Sequence, residues 1–378
     1  MRYRYSADKD GNLVKKATIY TCDEHSINFA DVDIEAVSII KKLKSAGFDS
    51  YIVGGAVRDL ILGKKPKDFD IVSSASPARI KRIFRSSRII GRRFRLVHVY
   101  VSDRTFEVST FRSLRDGHTS NTFGTIDEDV FRRDFTMNAL YYDPEQQIVV
   151  DYIGGMDDIK KKLVKPIINL NEIFSDDPVR MIRAVKYAAA TGFSLPMNLR
   201  MKILNQSNLL TSISPSRLTE EIFKIVNSEK AGLIVELLDK MGLYAFLQPQ
   251  AAQLMRKNPD FRKCYLQTMT QLKGAENQRG QAISSLFRDY LETADEWKPG
   301  QIENFKEICK TARDFVLPIN PPRIDLEYAV KKFLASKGIT IKRLHLSIKP
   351  KPAAEGEGTV PARKRKRRRR KKKVKREE

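Results

Sequence analysis

The chain has 378 residues, of which 41% are hydrophobic and 31% charged, and a formal net charge of +24. This apolar content excludes a wholly disordered or fibrous protein, and no apolar run approaches the roughly 18 residues of a membrane span. The basic excess favours a polyanionic partner, nucleic acid first. Residues 362–378 supply 13 basic and two acidic side chains, which leaves +13 for the rest of the chain.

The first part of the chain reads as mixed α/β. Residues 1–27 are polar, and we expect a poorly ordered lead-in. Apolar residues at helical spacing predict a helix from Ile34 to Leu43, which ends at Gly47. Alternation and turn residues then predict short helices at 56–62 and 77–84, and strands at 51–53, 68–72, 96–101, 105–111, 141–142 and 149–153.

From residue 176 the helical period dominates, and Asp177-Pro178 and Ser214-Pro215 are typical helix starts. Residues 347–361 have the composition of a linker and precede a run of like charges that must stay solvated. We therefore expect an α+β protein in five segments. These are the lead-in 1–27, a head 28–165 with a small mixed sheet, a helical neck 166–245, a helical body 246–346 and a disordered basic tail 347–378.

The segment Lys67 to Val72 carries the strongest chemical signal. If it is a strand, Asp68 and Asp70 project from one face, where two carboxylates repel each other unless a divalent cation lies between them. Mg²⁺ suits such oxygen ligands. An Asp-x-Asp pattern alone is often an ordinary turn or exposed strand. A third carboxylate strengthens the metal interpretation, and either Glu107 or Asp134 could supply it, although Asp134 could also be an N-cap or an ion-pair partner of a neighbouring arginine.

A glycine turn, which ends ten residues before Asp68 at Arg58, lies between a strand and a short helix. Gly54 and Gly55 let backbone N–H groups approach a phosphate, and Arg58 on the first helical turn can reach the same anion. Taken alone, this turn is more consistent with an ordinary tight turn. Its close spacing to Asp68 and Asp70 favours a nucleotide site.

Together these segments resemble the polymerase β-like nucleotidyltransferase superfamily. More narrowly, YIVGGAVRD, KDFDIV, FEVSTFR, RRDFTMNALYY, DYIGGMDDI and DDPVRMIRAVKYAA resemble the class II tRNA nucleotidyltransferase and bacterial poly(A) polymerase family, over roughly residues 50–245. The resemblance implies a palm-like catalytic head and nucleotidyl transfer to RNA. It also implies Mg²⁺, with Mn²⁺ as a second option, ATP as substrate and a cytoplasmic location.

The resemblance also assigns roles to individual residues. It implies metal binding by Asp68 and Asp70, with Glu107 or Asp134 completing the catalytic set. It implies nucleotide contacts by Gly54, Gly55, Arg58, Arg133, Asp177, Arg180 and Arg183, with Asp177 and Arg180 reading the base edge. The family pattern normally begins with Glu where this chain has Asp176, a shorter side chain.

The family has a branch that adds adenosines to RNA 3′ ends and a branch that adds CCA to tRNA. The segment IIGRRFRLVHV and the basic C-terminal extension favour the poly(A) branch. Arg92, Arg93 and Arg95 add cations that suit an RNA backbone, or else form a solvated basic hairpin. The expected partners are ATP, single-stranded RNA 3′ ends and RNA-degradation machinery. CCA addition and a non-catalytic basic RNA-binding protein are the alternatives.

Overall fold

The structure is a computed structural model that describes residues 2–7, 13–91, 95–113, 123–271, 278–293 and 302–341. The chain divides into a compact unit of residues 1–340 and a second unit of residues 341–378, of which only residue 341 is described. The architecture below is that of the first unit. No helix in the described part of the chain combines the length and apolarity needed to cross a membrane.

The described residues of the first unit form an α+β fold in which a mixed sheet precedes a series of helices. The strands are β1 (Arg2–Ala7), β2 (Leu13–Tyr20), β3 (Ser50–Val53), β4 (Asp70–Ser73), β5 (Ser87–Ile90), β6 (Leu96–Val101), β7 (Arg104–Thr110), β8 (Leu140–Asp143) and β9 (Ile148–Asp151). They are arranged in the order β1-β2-β9-β8-β3-β4-β7-β6-β5.

The helices follow the sequence signals closely. They are α1 (Ile34–Ser45), α2 (Gly55–Ile61), α3 (Pro77–Ile83), α4 (Ile126–Phe131), α5 (Gly155–Lys160), α6 (Ile173–Asp176), α7 (Val179–Thr191), α8 (Met197–Gln206), α9 (Pro215–Val226), α10 (Ala231–Lys240), α11 (Tyr244–Leu247), α12 (Pro249–Lys257), α13 (Pro259–Gln271), α14 (Gln278–Thr293), α15 (Ile302–Phe315) and α16 (Arg323–Ser336). Short 3₁₀ turns lie at Phe29–Asp31, Thr136–Asn138 and Ser207–Ser212.

Strand register brings the glycine turn and the acidic segments together. β3 and β4 pair antiparallel with Val53 opposite Asp70, so Gly54, the next residue, lies beside Asp70. β4 and β7 pair parallel with Ile71 opposite Val108, so Asp70 at the start of β4 is a neighbour of Glu107 in the middle of β7. The other strand pairs in the sheet are antiparallel, which makes the sheet mixed, as the sequence predicts.

Helix boundaries have identifiable local causes. The Asp33 carboxylate accepts hydrogen bonds from the backbone N–H groups of Glu35 and Ala36, which fixes the start of α1. The Thr125 side chain forms a capping box with Glu128 at the start of α4. α7 ends at Gly192, whose φ of +81° is the left-handed conformation that glycine adopts readily.

Two expectations about local structure were wrong. Residues 2–7 and 13–20 are strands rather than a poorly ordered lead-in, and β2 pairs with β9 at Ile19 opposite Val150, while Ala17 is buried against the core. The predicted strand at 68–72 begins at Asp70, so Asp68 precedes it. The core that supports the site contains Tyr51, Val53, Val72, Phe111, Val130, Tyr141 and Val150. The segment boundaries of head, neck and body stay predictions.

Candidate active site

An arginine-rich cavity of about 470 Å³ lies between the sheet and the helices α7 and α9. Its size is within the range of small-molecule sites. Six of its thirteen lining residues are arginines and three are aspartates, so the wall carries a formal excess of three positive charges. The lining consists of Gly54, Gly55, Asp70, Arg112, Arg132, Arg133, Asp134, Asn138, Asp177, Arg180, Arg183, Tyr187 and Arg217. Such a wall suits a polyanion such as a triphosphate.

Asp70 lies among like charges at one edge of this cavity. Its surroundings in the cleft raise the pKa of its carboxyl to about 6, first by desolvation and then by repulsion from Glu107. Asp68 adds further repulsion and Arg133 opposes it. Asp68, Asp70 and Glu107 are all exposed to solvent, and of the three only Asp70 lines the cavity. Glu107 contacts His98 at 3.4 Å. Asp70 thus lies in an excess of negative charge that a cation would relieve.

The carboxylates of Asp68, Asp70 and Glu107 suit a divalent ion whose remaining ligands come from water or substrate. Among the described residues, no three His, Cys, Asp or Glu side chains converge as a ready-made metal cage. Mg²⁺ is commonly bound by one or two carboxylates, with waters and substrate phosphates completing its octahedron. Asp70 with Asp68 or Glu107 matches that pattern. Between the two candidates for a third carboxylate, Glu107 is the one whose charge acts on Asp70.

The glycine turn keeps the floor of the cavity open. Gly54 has a φ of +75°, which L side chains rarely adopt, and a Cβ there would lie 3.9 Å from both Asp70 Oδ2 and Arg133 Nη1. Arg58 does not line the cavity. Its guanidinium donates to Asp59 Oδ1 at 2.8–2.9 Å and to Asn138 Oδ1 at 2.9 Å, so it holds the lining residue Asn138 in place.

A wholly buried carboxylate, Asp129, orients two of the cavity arginines. It accepts hydrogen bonds from Arg132 Nε at 2.7 Å, from Arg133 Nη2 at 2.9 Å and from the Tyr141 hydroxyl at 2.8 Å. Burial alone would raise the pKa of Asp129, but Arg133 and Arg132 outweigh it and hold the pKa at about 2. Asp129 is therefore ionised at neutral pH and fixes both guanidinium groups.

Asp134 connects the sheet to α7. Its carboxylate lies 2.8 Å from Arg183 Nη2 and accepts a hydrogen bond from the Phe135 backbone N–H at 2.8 Å. The ion pair with Arg132 or Arg133 that the sequence allowed for Asp134 is formed by Asp129 instead. Asp134 lines the cavity as an anchor for Arg183.

The neck contributes a second set of charged pairs to the cavity. Asp177 accepts two hydrogen bonds from Arg217 Nη2, at 2.8 and 3.0 Å, and its Oδ1 also caps the Val179 backbone N–H at the start of α7. Arg180 is buried and pairs with Asp176, and it donates to the Ile173 carbonyl at 3.1 Å. Asp177, Arg180 and Arg183 thus all line the cavity.

Other predicted residues lie elsewhere. Arg92 and Arg93 are outside the described residues, and Arg95 is exposed immediately before β6. The sequence reasoning did not select Arg112, Arg132, Asn138, Tyr187 or Arg217, all of which line the cavity. The first four fall within the quoted motifs, so the signal was present. Arg217 has no local signal, because only the fold brings α9 against Asp177.

Two regions of the chain match families of known proteins. Residues 50–165 match the family described as "Poly A polymerase head domain", and residues 192–255 match the family described as "Probable RNA and SrmB- binding site of polymerase A". Over these two regions the chain is therefore similar to poly(A) polymerases. Members of both branches are among its relatives.

Poly(A) polymerase I of Escherichia coli is 37% identical over 261 residues, which cover 65% of this chain and 56% of the relative. The CCA-adding enzyme of Geobacillus stearothermophilus is 36% identical over 219 residues, 56% of this chain and 54% of the relative. The chain therefore spans little more than half the length of the curated relatives it matches. The crystal structure of the Bacillus stearothermophilus CCA-adding enzyme in complex with CTP superposes with a TM-score of 0.56 at 27% identity, covering 80% of this chain and 82% of that one.

Proposed function

We propose that this chain is a template-independent poly(A) polymerase that transfers AMP from ATP to RNA 3′ ends and releases pyrophosphate. The observation that carries the proposal is the position of Asp70 and Glu107 beside a cavity whose wall is rich in arginine. One side of that arrangement suits a divalent cation and the other a triphosphate. The similarity to Poly(A) polymerase I adds the choice of substrate.

The chain's own residues would act by binding and orientation. Arg112, Arg132 and Arg133 would hold the triphosphate so that the α-phosphate faces the RNA 3′-hydroxyl. In-line attack forms the new P–O bond and breaks the bond to the β-phosphate bridging oxygen, and no covalent intermediate with the protein is needed. A divalent cation, Mg²⁺ first and Mn²⁺ second, held by Asp68 and Asp70 with Glu107, would lower the pKa of the attacking hydroxyl and neutralise charge on the leaving pyrophosphate.

The neck would select the base. Asp177 offers carboxylate oxygens and Arg180 a guanidinium, which together can pair with acceptor and donor atoms of a base edge without a nucleic-acid template. Arg217 restricts the orientation of Asp177. The pairs Asp177–Arg217 and Asp176–Arg180 would thus define which base edge fits, as the orientation of each donor and acceptor is fixed before the nucleotide enters.

CCA addition to tRNA is the second candidate, and the CCA-adding relatives at 36% identity favour it. The poly(A) interpretation is preferred because the match to Poly(A) polymerase I is longer, 261 against 219 residues, and slightly more identical. A non-catalytic RNA-binding role is the third candidate. It leaves the acidic set at Asp68, Asp70 and Glu107 without a purpose.

Partners and location stay predictions. RNA binding is supported by the match of residues 192–255 to a family described as an RNA-binding site, and by the positive charge of the chain. We propose RNA-degradation machinery as a protein partner and the cytoplasm as the compartment.

The proposal is tested by incubating the protein with a divalent cation, an end-labelled RNA and each of the four nucleoside triphosphates separately. Long extension with ATP alone is the expected result. Extension that needs CTP and ATP and stops after CCA on a tRNA lacking its 3′ end would select the second candidate. Binding of RNA with no extension under any condition would select the third.

A further inference from the structure

The hairpin of β1 and β2, at one end of the sheet, exposes two aromatic rings beside cationic side chains. Tyr3 and Tyr5 are 42% and 53% exposed, and their ring centroids lie 6.3 Å apart in an edge-to-face arrangement. Lys15 is opposite Tyr5 in the strand register, and its Nζ lies 4.0 Å from the centre of the Tyr3 ring. Leu13, two residues from Lys15, is 76% exposed. We call these four residues the tyrosine face.

The hairpin is held firmly against the rest of the sheet. Arg4 Nη1 donates to the Tyr152 hydroxyl at 3.0 Å, and Lys16 Nζ lies 3.3 Å from Asp127 Oδ2. Ala17 and Tyr20 are buried, so β2 contributes to the core. The tyrosine face is therefore a fixed platform rather than a loose terminal segment.

We propose that the tyrosine face binds single-stranded RNA, with bases stacked on Tyr3 and Tyr5 and phosphates near Lys15. Exposed aromatic rings beside cations are the usual means of binding single strands without sequence preference. Residues 2–16 contain five basic and two acidic residues, which complements the RNA backbone. A protein partner fits this face less well, because two rings and one leucine form a much smaller area than the roughly 800 Å² per partner that stable protein interfaces bury.

The platform lies at a defined distance from the candidate active site. β1 is five strand positions from β4, which bears Asp70, and a strand spacing of about 4.8 Å gives a lateral separation of roughly 24 Å. The register places Tyr3 and Tyr5 on the opposite face of the sheet from Asp70, so the path of the RNA is longer than this. At least about seven stacked nucleotides at roughly 3.4 Å each are needed to cover it. The tyrosine face therefore binds RNA upstream of the 3′ end, outside the matched RNA-binding family at residues 192–255. The position of the bound RNA relative to its 3′ end rests on the proposed function, whereas RNA binding by this face does not.

Length-dependent RNA affinity, measured without nucleotide, tests the proposal. The protein and its variants are titrated with labelled oligoadenylates of about three and about fifteen nucleotides. In Tyr3→Ala/Tyr5→Ala the Kd for the longer RNA should rise at least about fivefold, the smallest effect of losing one base stack. The Kd for the shorter RNA should stay within twofold. The control Tyr3→Phe/Tyr5→Phe keeps both rings and should bind both oligomers like the wild type.

The salt dependence separates stacking from charge. Lys15→Gln should reduce the slope of log K against log salt by about 0.7, whereas the tyrosine variants should leave the slope unchanged. RNA binding by the tyrosine face is overturned if Tyr3→Ala/Tyr5→Ala binds the longer RNA within twofold of the wild type. Equal weakening of both oligomers would overturn its position upstream of the 3′ end. If length-dependent loss occurs but the wild type never adds AMP, the platform stands and the proposed polymerase activity falls.

Discussion

Replacing Asp129 by Asn tests whether a buried carboxylate positions the triphosphate-binding arginines. The variant keeps the side-chain shape but removes the charge that faces Arg132 and Arg133, and one amide N–H₂ then points at a guanidinium. The pKa of Asp129 is lowered from 3.8 to about 2. At about 1.4 kcal/mol per pKa unit, this corresponds to about 2 kcal/mol of folding free energy at pH 7.

The direction of that pKa shift determines how the folding stability changes with pH. Because the pKa is depressed on folding, the stabilisation is complete above pH 4 and is lost as the pH falls towards 2. Urea unfolding of Asp129→Asn at pH 7 should show a loss of about 2 kcal/mol or more. Tyr141→Phe removes the hydroxyl that donates to Asp129 and accepts from Arg133 Nε, but it leaves both arginine–carboxylate pairs and should lose only about 1 kcal/mol.

Nucleotide binding distinguishes positioning from simple destabilisation. The Asp129→Asn variant, assayed where it is folded, should bind ATP about tenfold more weakly and AMP nearly as well as the wild type, since the arginines face the phosphates. Tyr141→Phe should bind both like the wild type. An Asp129→Asn variant with wild-type stability, or with equal losses for ATP and AMP, would refute the reasoning.

Three further predictions concern the neck and the tail. Glu221→Gln should destabilise the protein by about 3 kcal/mol at pH 7, since two lysines outweigh burial and lower the pKa of this carboxyl from 4.5 to about 2. In urea unfolding, the stability difference between variant and wild type should vanish as the pH falls below 4.5 towards 2. A difference that does not depend on pH would contradict this prediction. Arg217→Ala frees Asp177 and should reduce the preference for ATP over CTP in single-nucleotide incorporation, whereas unchanged selectivity would show that the pair is only structural. Deletion of residues 363–376 removes 13 positive charges and should flatten the salt dependence of RNA binding; an unchanged slope would assign the tail to targeting or solubility.

The sequence predicts most of the strands and helices around the site, because their signals are local. The strand before Gly54, the proline-started helices and the alternating runs at 96–111 all lie within a few residues of their predicted bounds. The family resemblance likewise identified Asp70, Arg133, Asp177 and Arg180, which line one cavity.

What the sequence could not predict depends on long-range contacts. β2 forms a strand because β9 offers it a partner, and the polar N-terminal segment shows little of the apolar alternation that would reveal this. Arg217 meets Asp177 across 40 residues of chain. The choice between Glu107 and Asp134 likewise needed the parallel register of β4 and β7, together with the contact between Asp134 and Arg183.

The most direct test of the account is AMP incorporation by Asp68→Asn/Asp70→Asn, measured beside RNA affinity in the same preparation. These isosteric changes remove the charge that would hold a divalent cation and leave the arginine wall in place. The account predicts that incorporation falls to background while the Kd for RNA stays within twofold of the wild type. Extension of RNA by this double variant at a rate near that of the wild type would contradict it.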